Sequence, residues 1–570
     1  MFALPSFPFT ATPLQATTYL LGVCLFSITF LVFLNSSVSF VITDLLDIRH
    51  GVGNFSGTLG FADELVALVA CPLWGVISDR LGVRWVVVAG YAIVGVALCV
   101  FVQARNVYPE LLLARLLFSL GGAACSTMVT AVLPTMTAPS SSTPHSLRHR
   151  PSQSLSSELT ITPARIVRRT LSSQPSNPGE RSLASAPRLA GLVGMFTGCG
   201  ALVALVVFLP LPARLQSIGL SAAQAITDSY YIAGIIAIIV AVVCSIGLRN
   251  LNGEEGKGFR ALVGLGRYDS SSSKSLLPYH RLLLDSVILG FKDVNIGLGY
   301  LGGFVARTSS VGVSLFIPLF VNAYFISSGR CKGSPDEGGE EMRRQCRQAY
   351  VLAAELTGIS QLVALISAPI FGYLSDRYRR YNLPLLTSAL LGIVGYTAFA
   401  ALRSPIPTGH DGHPGVFVLV AFIGISQIGA IVCSLGILGR GILGEAMIPE
   451  QPDPADSIST QSQTPGPLDS APQTTTEQPG EGTSLLGKLN KEEISRSHLK
   501  GSIAGVYSLL GGAGILLLTK LGGVLFDKLS PGAPFYMLAI FNAILFVVGV
   551  GCAVGEEVSR RVKQGSEVPS

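Results

Sequence analysis

Asp63, Glu64, Arg115 and Arg307 stand inside long apolar stretches of a 570-residue chain in which only 13% of residues are charged. Ionisable side chains are expensive in hydrocarbon and are kept there for pairing or for function. A carboxyl group in such a place is a candidate proton carrier, because desolvation and neighbouring charge control its protonation. Asp63 and Glu64 are adjacent, so on a helix they diverge by about 100° and only one of them faces a central cavity. Glu64 precedes Gly75 by 11 residues. That is roughly 16 Å of helical rise, which puts the acid pair near mid-membrane. Arg307 lies too deep in its stretch for its head to reach water easily, and suits either an anionic solute or an ion pair with Asp63 or Glu64. Such a pair has two readings: it breaks on protonation, or it is permanent and structural. Arg115 either pairs or snorkels, since it lies toward one end of its stretch. Lys520 and Glu355 lie nearer segment ends, where anchoring and solvation are expected.

These residues need apolar helices to position them, and the composition supplies those. Hydrophobic residues make up 49% of the chain and the mean hydropathy is +0.54. That is too apolar for a water-soluble globule of this length. Twelve stretches, from residues 17–41 to residues 535–554, are each long enough to cross a hydrocarbon core of roughly 30 Å as a helix. Lipid offers no partner to bare peptide groups, and the two-residue alternation of a barrel is absent, so helices are expected. With the N-terminus in the cytosol, 26 of the 40 Lys and Arg residues fall on the cytosolic side and 10 on the other. Both termini are therefore expected in the cytosol. No basic residue precedes the first stretch, which is expected to act as an uncleaved insertion signal.

The polar segments divide the chain. Residues 1–248 form an expected N-terminal six-helix bundle with a cytosolic insertion at 138–187, and 249–293 a central cytosolic loop. Residues 294–556 form the C-terminal bundle with an insertion at 444–497, and 557–570 a cytosolic tail. Both insertions are low in complexity and expected to be disordered, and both follow the fourth helix of their half. Ser270 to Ser273 in the central loop is a conceivable phosphorylation run, though solvated linker is the simpler reading. Cys331 and Cys346 share a polar loop on the expected non-cytosolic side, where a disulfide between them is a candidate. Asn54-Phe55-Ser56 is a glycosylation sequon on that same side.

The strongest organisational signal is a repeat. LVALVACPLWGVISDR at residues 65–80 returns as LVALISAPIFGYLSDR at residues 362–377, with nine identities. Duplicated halves of this kind are characteristic of secondary transporters. The turn Gly75-Val76-Ile77-Ser78-Asp79-Arg80-Leu81-Gly82-Val83-Arg84 resembles the signature loop of the major facilitator superfamily. Gly372-Tyr373-Leu374-Ser375-Asp376-Arg377 resembles its second-half counterpart, with Arg379 where Gly82 stands in the first. Arg115-Leu116-Leu117-Phe118-Ser119-Leu120-Gly121-Gly122 is similar to the family's helix 4 motif, with Ser119 in place of a usual Gly. The resemblance covers nearly the whole chain.

It implies an all-α membrane protein of twelve transmembrane helices in two pseudo-symmetric six-helix bundles, working by alternating access. It further implies a latch at Gly75, Asp79, Arg80, Gly82, Arg84, Gly372, Asp376 and Arg377. There Asp79 would meet the start of helix 11 near Gly501 to Gly505; the competing reading is that Asp79 only caps its own turn. Asp63, Glu64, Arg115 and Arg307 are the coupling candidates. Asn35, Ser36, Ser39, Ser310 and Gln427 are the polar candidates for the cavity, together with Arg307. Cys199 stands where proton-coupled drug exporters of the family carry Pro, which weakens that assignment, and sugar-porter signatures are not evident. No phosphate-binding loop or metal-ligand spacing is present, so neither cofactor, metal nor enzymatic activity is expected. The expected partners are a small-molecule solute, protons and the lipid bilayer, with no nucleic acid, for a monomer. A second reading is a non-transporting nutrient sensor or scaffold acting through its insertions. Glu481-Gly482-Thr483-Ser484-Leu485-Leu486 resembles an acidic dileucine sorting signal, which leaves vacuolar or lysosomal and plasma membranes both open.

Overall fold

In the computed structural model, residues 11–48, 52–137, 185–251, 254, 257–258, 279–329, 347–378, 382–407, 413–443 and 499–566 are described. Twelve helices are long and apolar enough to cross a membrane: α1 Pro13–Leu45, α2 Phe55–Leu81, α3 Val83–Phe101, α4 Val107–Thr137, α5 Ala186–Ser217, α6 Ala222–Gly247, α7 Val294–Ser327, α8 Val351–Arg377, α9 Leu383–Ala400, α10 Gly415–Leu443, α11 Lys500–Lys528 and α12 Ala533–Ser559. No strand occurs among the described residues. The architecture is all-α, in two pseudo-symmetric six-helix bundles.

Helix ends are set by local chemistry. Thr12 and Gln15 form a capping box at the start of α1, Ser221 and Gln224 one at α6, and the Asp293 carboxylate accepts the first free amides of α7. Each satisfies N–H groups that have no partner within their own helix. Gln15 Nε2 also donates to the Arg249 carbonyl at 2.7 Å, tying the start of α1 to the end of α6. The chain reverses sharply between α2 and α3 at Gly82, whose φ of +95° favours a residue without Cβ.

The linker between the bundles is not all loop. Its last part is a helix, Tyr279–Lys292, held to α7 by the Tyr300 hydroxyl, which donates to the Ser286 carbonyl at 3.1 Å. The face of the protein carrying this linker is called the linker side below. The helix containing α2 begins at Val52, so the sequon at Asn54 lies in helical turns rather than in a loop. Cys331, Cys346, the serine run at 270–273, the dileucine-like segment 481–486, and nearly all of both insertions lie outside the described residues.

Candidate functional site

Two polar clusters stand out, one part-way along the helices and one on the linker side. In the first, Arg115 of α4 is 3% exposed and pairs with Asp63 of α2 at 2.7 Å. It also donates to the Asn35 side chain of α1. Ser119 Oγ donates to the Asp63 carbonyl at 2.8 Å, so the residue that replaces the usual Gly locks α4 to α2. Arg115 therefore does not snorkel. Asp63 is committed inside its own bundle and does not pair with Arg307, because the α2–α4 packing brings Arg115 to it first.

Glu64 and Arg307 are left over. Both are half-buried, on α2 and α7 of opposite bundles, and close enough for their charges to interact. Among the described residues neither makes an ion pair or side-chain hydrogen bond, so the Glu64–Arg307 pair that the residue types suggested is not formed in this conformation. The Arg307 stem lies against α11, where a Cβ on Gly511 would stand 2.6 Å from Arg307 Cγ. Gln427 Nε2 of α10 donates to Ser310 Oγ of α7 at 3.0 Å, and the buried Gln427 Oε1 has no partner. Ser36 and Ser39 are half-buried on α1, with no side-chain bond to described groups. Lys520 lies over the Phe61 ring of α2 at 4.0 Å, so it bridges the bundles instead of simply anchoring α11.

On the linker side the bundles are joined by charge and by close backbone approach. The Asp79 carboxylate at the end of α2 accepts Gly501 N and Ser502 N, each at 2.8 Å, and Ser502 Oγ at 2.6 Å. Helix α11 has no side-chain cap of its own, since its N-cap residue is Leu499. Asp79 thus supplies from the other bundle the acceptor that a Ser or Asp would supply locally. A Cβ on Gly75 would collide with the Gly501 carbonyl and stand 2.9 Å from Gly505 Cα, so a larger residue would force the two helices apart.

The second copy of the motif solves the same problem differently. Helix α5 carries a cap of its own, Ser185, whose hydroxyl accepts from Arg188 N. Asp376 instead pairs with Arg188 Nε of α5 at 2.6 Å. Gly372 is in backbone contact with Gly191, where a Cβ would fall 2.9 Å from Gly372 Cα. Among the described residues of this turn Asn382 is left-handed, φ +47°, and its side chain accepts from Arg440 Nη2 at 2.8 Å. Asn adopts that backbone region more readily than most residues, and its place at the start of α9 was the available signal.

The arginines of the motif separate in role. Arg80 stacks on the Tyr279 ring of the linker helix at 3.8 Å, and its carbonyl accepts Gly258 N at 3.2 Å. Arg377 is exposed, and Arg84 turns away from the inter-bundle contact to donate to Ser245 of α6 at 3.4 Å. Glu254 is the participant that sequence reasoning missed. Its carboxylate accepts Val83 N at 2.7 Å and pairs with Lys257 at 3.1 Å and with Lys500 of α11 at 2.5 Å. Burial would push its pKa up, but Lys500 and Lys257 outweigh that and hold it below the usual carboxylate range. A Glu in a short polar run carries no periodic signal. Among the described residues no cluster of His, Cys, Asp and Glu could hold a metal.

Fold and site together define a polytopic membrane protein whose two bundles meet with Glu64 and Arg307 unpaired among the described residues. A family model described as Major Facilitator Superfamily matches residues 25–144, covering α1 to α4. Among solved structures, the MFS proton:xylose symporter XylE bound to 6-bromo-6-deoxy-D-glucose is 11% identical with a TM-score of 0.51, covering 94% of each chain. The MFS transporter FucP in the outward conformation is 12% identical with a TM-score of 0.49, covering 93% of this chain and 98% of that one. The human organic anion transporter MFSD10 (TETRAN) is 11% identical with a TM-score of 0.49, covering 95% and 100%. No curated protein matches in sequence. Residues 25–144 thus match the major facilitator superfamily, and the chain, with twelve helices long and apolar enough to cross a membrane, is an integral multi-pass membrane protein.

Proposed function

We propose that this protein is a secondary active transporter that moves a small solute by alternating access, driven by protons. The observation that carries the reading is Glu64 and Arg307 on opposite bundles, unpartnered among the described residues, beside the Asp63–Arg115 ion pair. Two opposite charges deep between helices are costly unless they take turns with a ligand or with each other. In the proposed cycle Glu64 binds a proton from the side opposite the linker, and Arg307 receives an anionic or zwitterionic solute. Neutralisation of both sites permits the bundles to rock. Asp79 with α11, Glu254 with Lys500 and Asp376 with Arg188 form the linker-side latch that opens in that step.

The linker side is the cytosolic side in this reading, by the distribution of Lys and Arg, and the described conformation is outward-facing. Both termini are then cytosolic, and one chain suffices because it contains both bundles. Proteoliposomes with the protein, compared with empty ones by untargeted metabolite analysis with and without a proton gradient, test the proposal. Gradient-dependent accumulation of a solute is expected, and its loss in a folded Glu64→Gln variant. Transport that ignores the gradient, or an unaltered Glu64→Gln protein, overturns the assignment of coupling to Glu64.

A further inference from the structure

Arg84 and Arg249 form a cation pair on the linker side that nothing in the proposed cycle uses. Arg84 occupies the first turn of α3, where the helix dipole disfavours a positive charge. Its Nη2 reaches Ser245 of α6, one turn before Arg249, and Arg249 is close enough for the two guanidinium charges to repel. Among the described residues neither arginine has an ion pair, and Arg84 Nε is buried without a hydrogen-bond partner. Glu254, at Val83 N, is already engaged by Lys257 and Lys500. Two adjacent cations at the positive end of a helix are an arrangement that a bound anion would relieve.

The surroundings point to an anion with a tail. Arg249 is exposed, and its backbone is fixed by Gln15 Nε2, so its side chain starts from a rigid position. Ile235, Ile239, Val242 and Ile246 recur at helical spacing along α6 and are 54–55% exposed, a lipid-facing stripe that runs up to the arginines. Trp85, with the Arg84 guanidinium 4.8 Å from its ring, sits beside them at the level where indoles collect in membranes.

We propose that Arg84 and Arg249 bind the phosphate of an anionic lipid in the linker-side leaflet, with an acyl chain along the α6 stripe. The full-length protein, purified in mild detergent, is mixed with dioleoylphosphatidylinositol or dioleoylphosphatidylcholine, and retained lipid is counted by native mass spectrometry. An arginine near an anionic headgroup contributes roughly five-fold in affinity. Phosphatidylinositol should therefore be retained over phosphatidylcholine, with about five-fold loss in Arg249→Gln and roughly 25-fold loss in Arg84→Gln/Arg249→Gln. Lys528→Gln, a cation on the opposite side, should leave retention unchanged. Melting temperature checks that the variants are folded, and the exposed Arg249 provides the variant least able to disturb packing. Equal retention of the two lipids, or full retention by the folded double variant, overturns the proposal. Displacement of the lipid by equimolar glycerol 3-phosphate overturns the lipid assignment in favour of a soluble phosphate.

Discussion

Replacing Asp79 with alanine should shift the protein toward its linker-side-open form by about two orders of magnitude. Three hydrogen bonds to the carboxylate disappear, from Gly501 N, Ser502 N and Ser502 Oγ. Bonds to an ionised group are worth roughly 1.5–3 kcal/mol each, less the cost of keeping the carboxylate out of water, so about 3 kcal/mol in all is a conservative total. The bonds cross between bundles and exist only when the linker side is closed, so the loss falls on that state alone. At about 1.4 kcal/mol per factor of ten, the shift is roughly 150-fold. Spin labels at Leu14→Cys and Tyr378→Cys, exposed positions at the linker-side ends of the two bundles, report the separation once accessible native cysteines are replaced. A protein closed by about 3 kcal/mol becomes an equal mixture, seen as a second, longer distance. Asp79→Asn keeps one acceptor oxygen and should fall in between. Arg188→Gln removes a pair whose arginine is 33% exposed, which solvent screening limits to about 1 kcal/mol or a five-fold shift. A folded Asp79→Ala protein with an unchanged distance distribution, or one no more open than Arg188→Gln, refutes the reasoning.

Three other outcomes follow from the same contacts. Because the Glu254 carboxyl is held below the usual range near 4.3, its contribution is fully present above that value and is lost only as pH falls through its lower folded value. The latch distance should thus be indifferent to pH between about 5 and 8 at this group, and Glu254→Ala should open it by about 3 kcal/mol because Lys500 is left buried and unpaired. Gly75→Ala should cost the closed state about 1–3 kcal/mol by overpacking against Gly505, read as the same lengthened distance with little change in denaturation of the isolated bundle contacts. Arg115→Gln should destabilise the protein by about 3–5 kcal/mol by stranding Asp63, and Asp63→Asn/Arg115→Gln should recover much of the loss in a thermal melt.

The twelve helices were legible in the sequence because lipid imposes a length and an apolarity that no local alternative meets. The duplication was legible because both copies preserve the Gly and Asp at the turn. Hydropathy could not see the linker helix Tyr279–Lys292, which lies in a polar region, nor Glu254, whose importance comes from Val83, Lys257 and Lys500 converging on it. It also left open which acid of the Asp63–Glu64 pair is free. Adjacent residues on a helix diverge, but only the packing of α4 against α2 decides that Arg115 takes Asp63.

What the sequence determined by itself was the kind of molecule, two related bundles in a membrane, and the residue types that stand inside it. Tertiary structure alone decided the pairings. The two copies of one motif end in different contacts: α11 lacks a cap of its own and gives its amides to Asp79, whereas α5 carries Ser185 and Asp376 pairs with the Arg188 guanidinium. Periodicity and composition are properties of neighbours along the chain. A hydrogen bond between residues 79 and 501 depends on where two helices cross, and that is set by which small residues let their backbones meet.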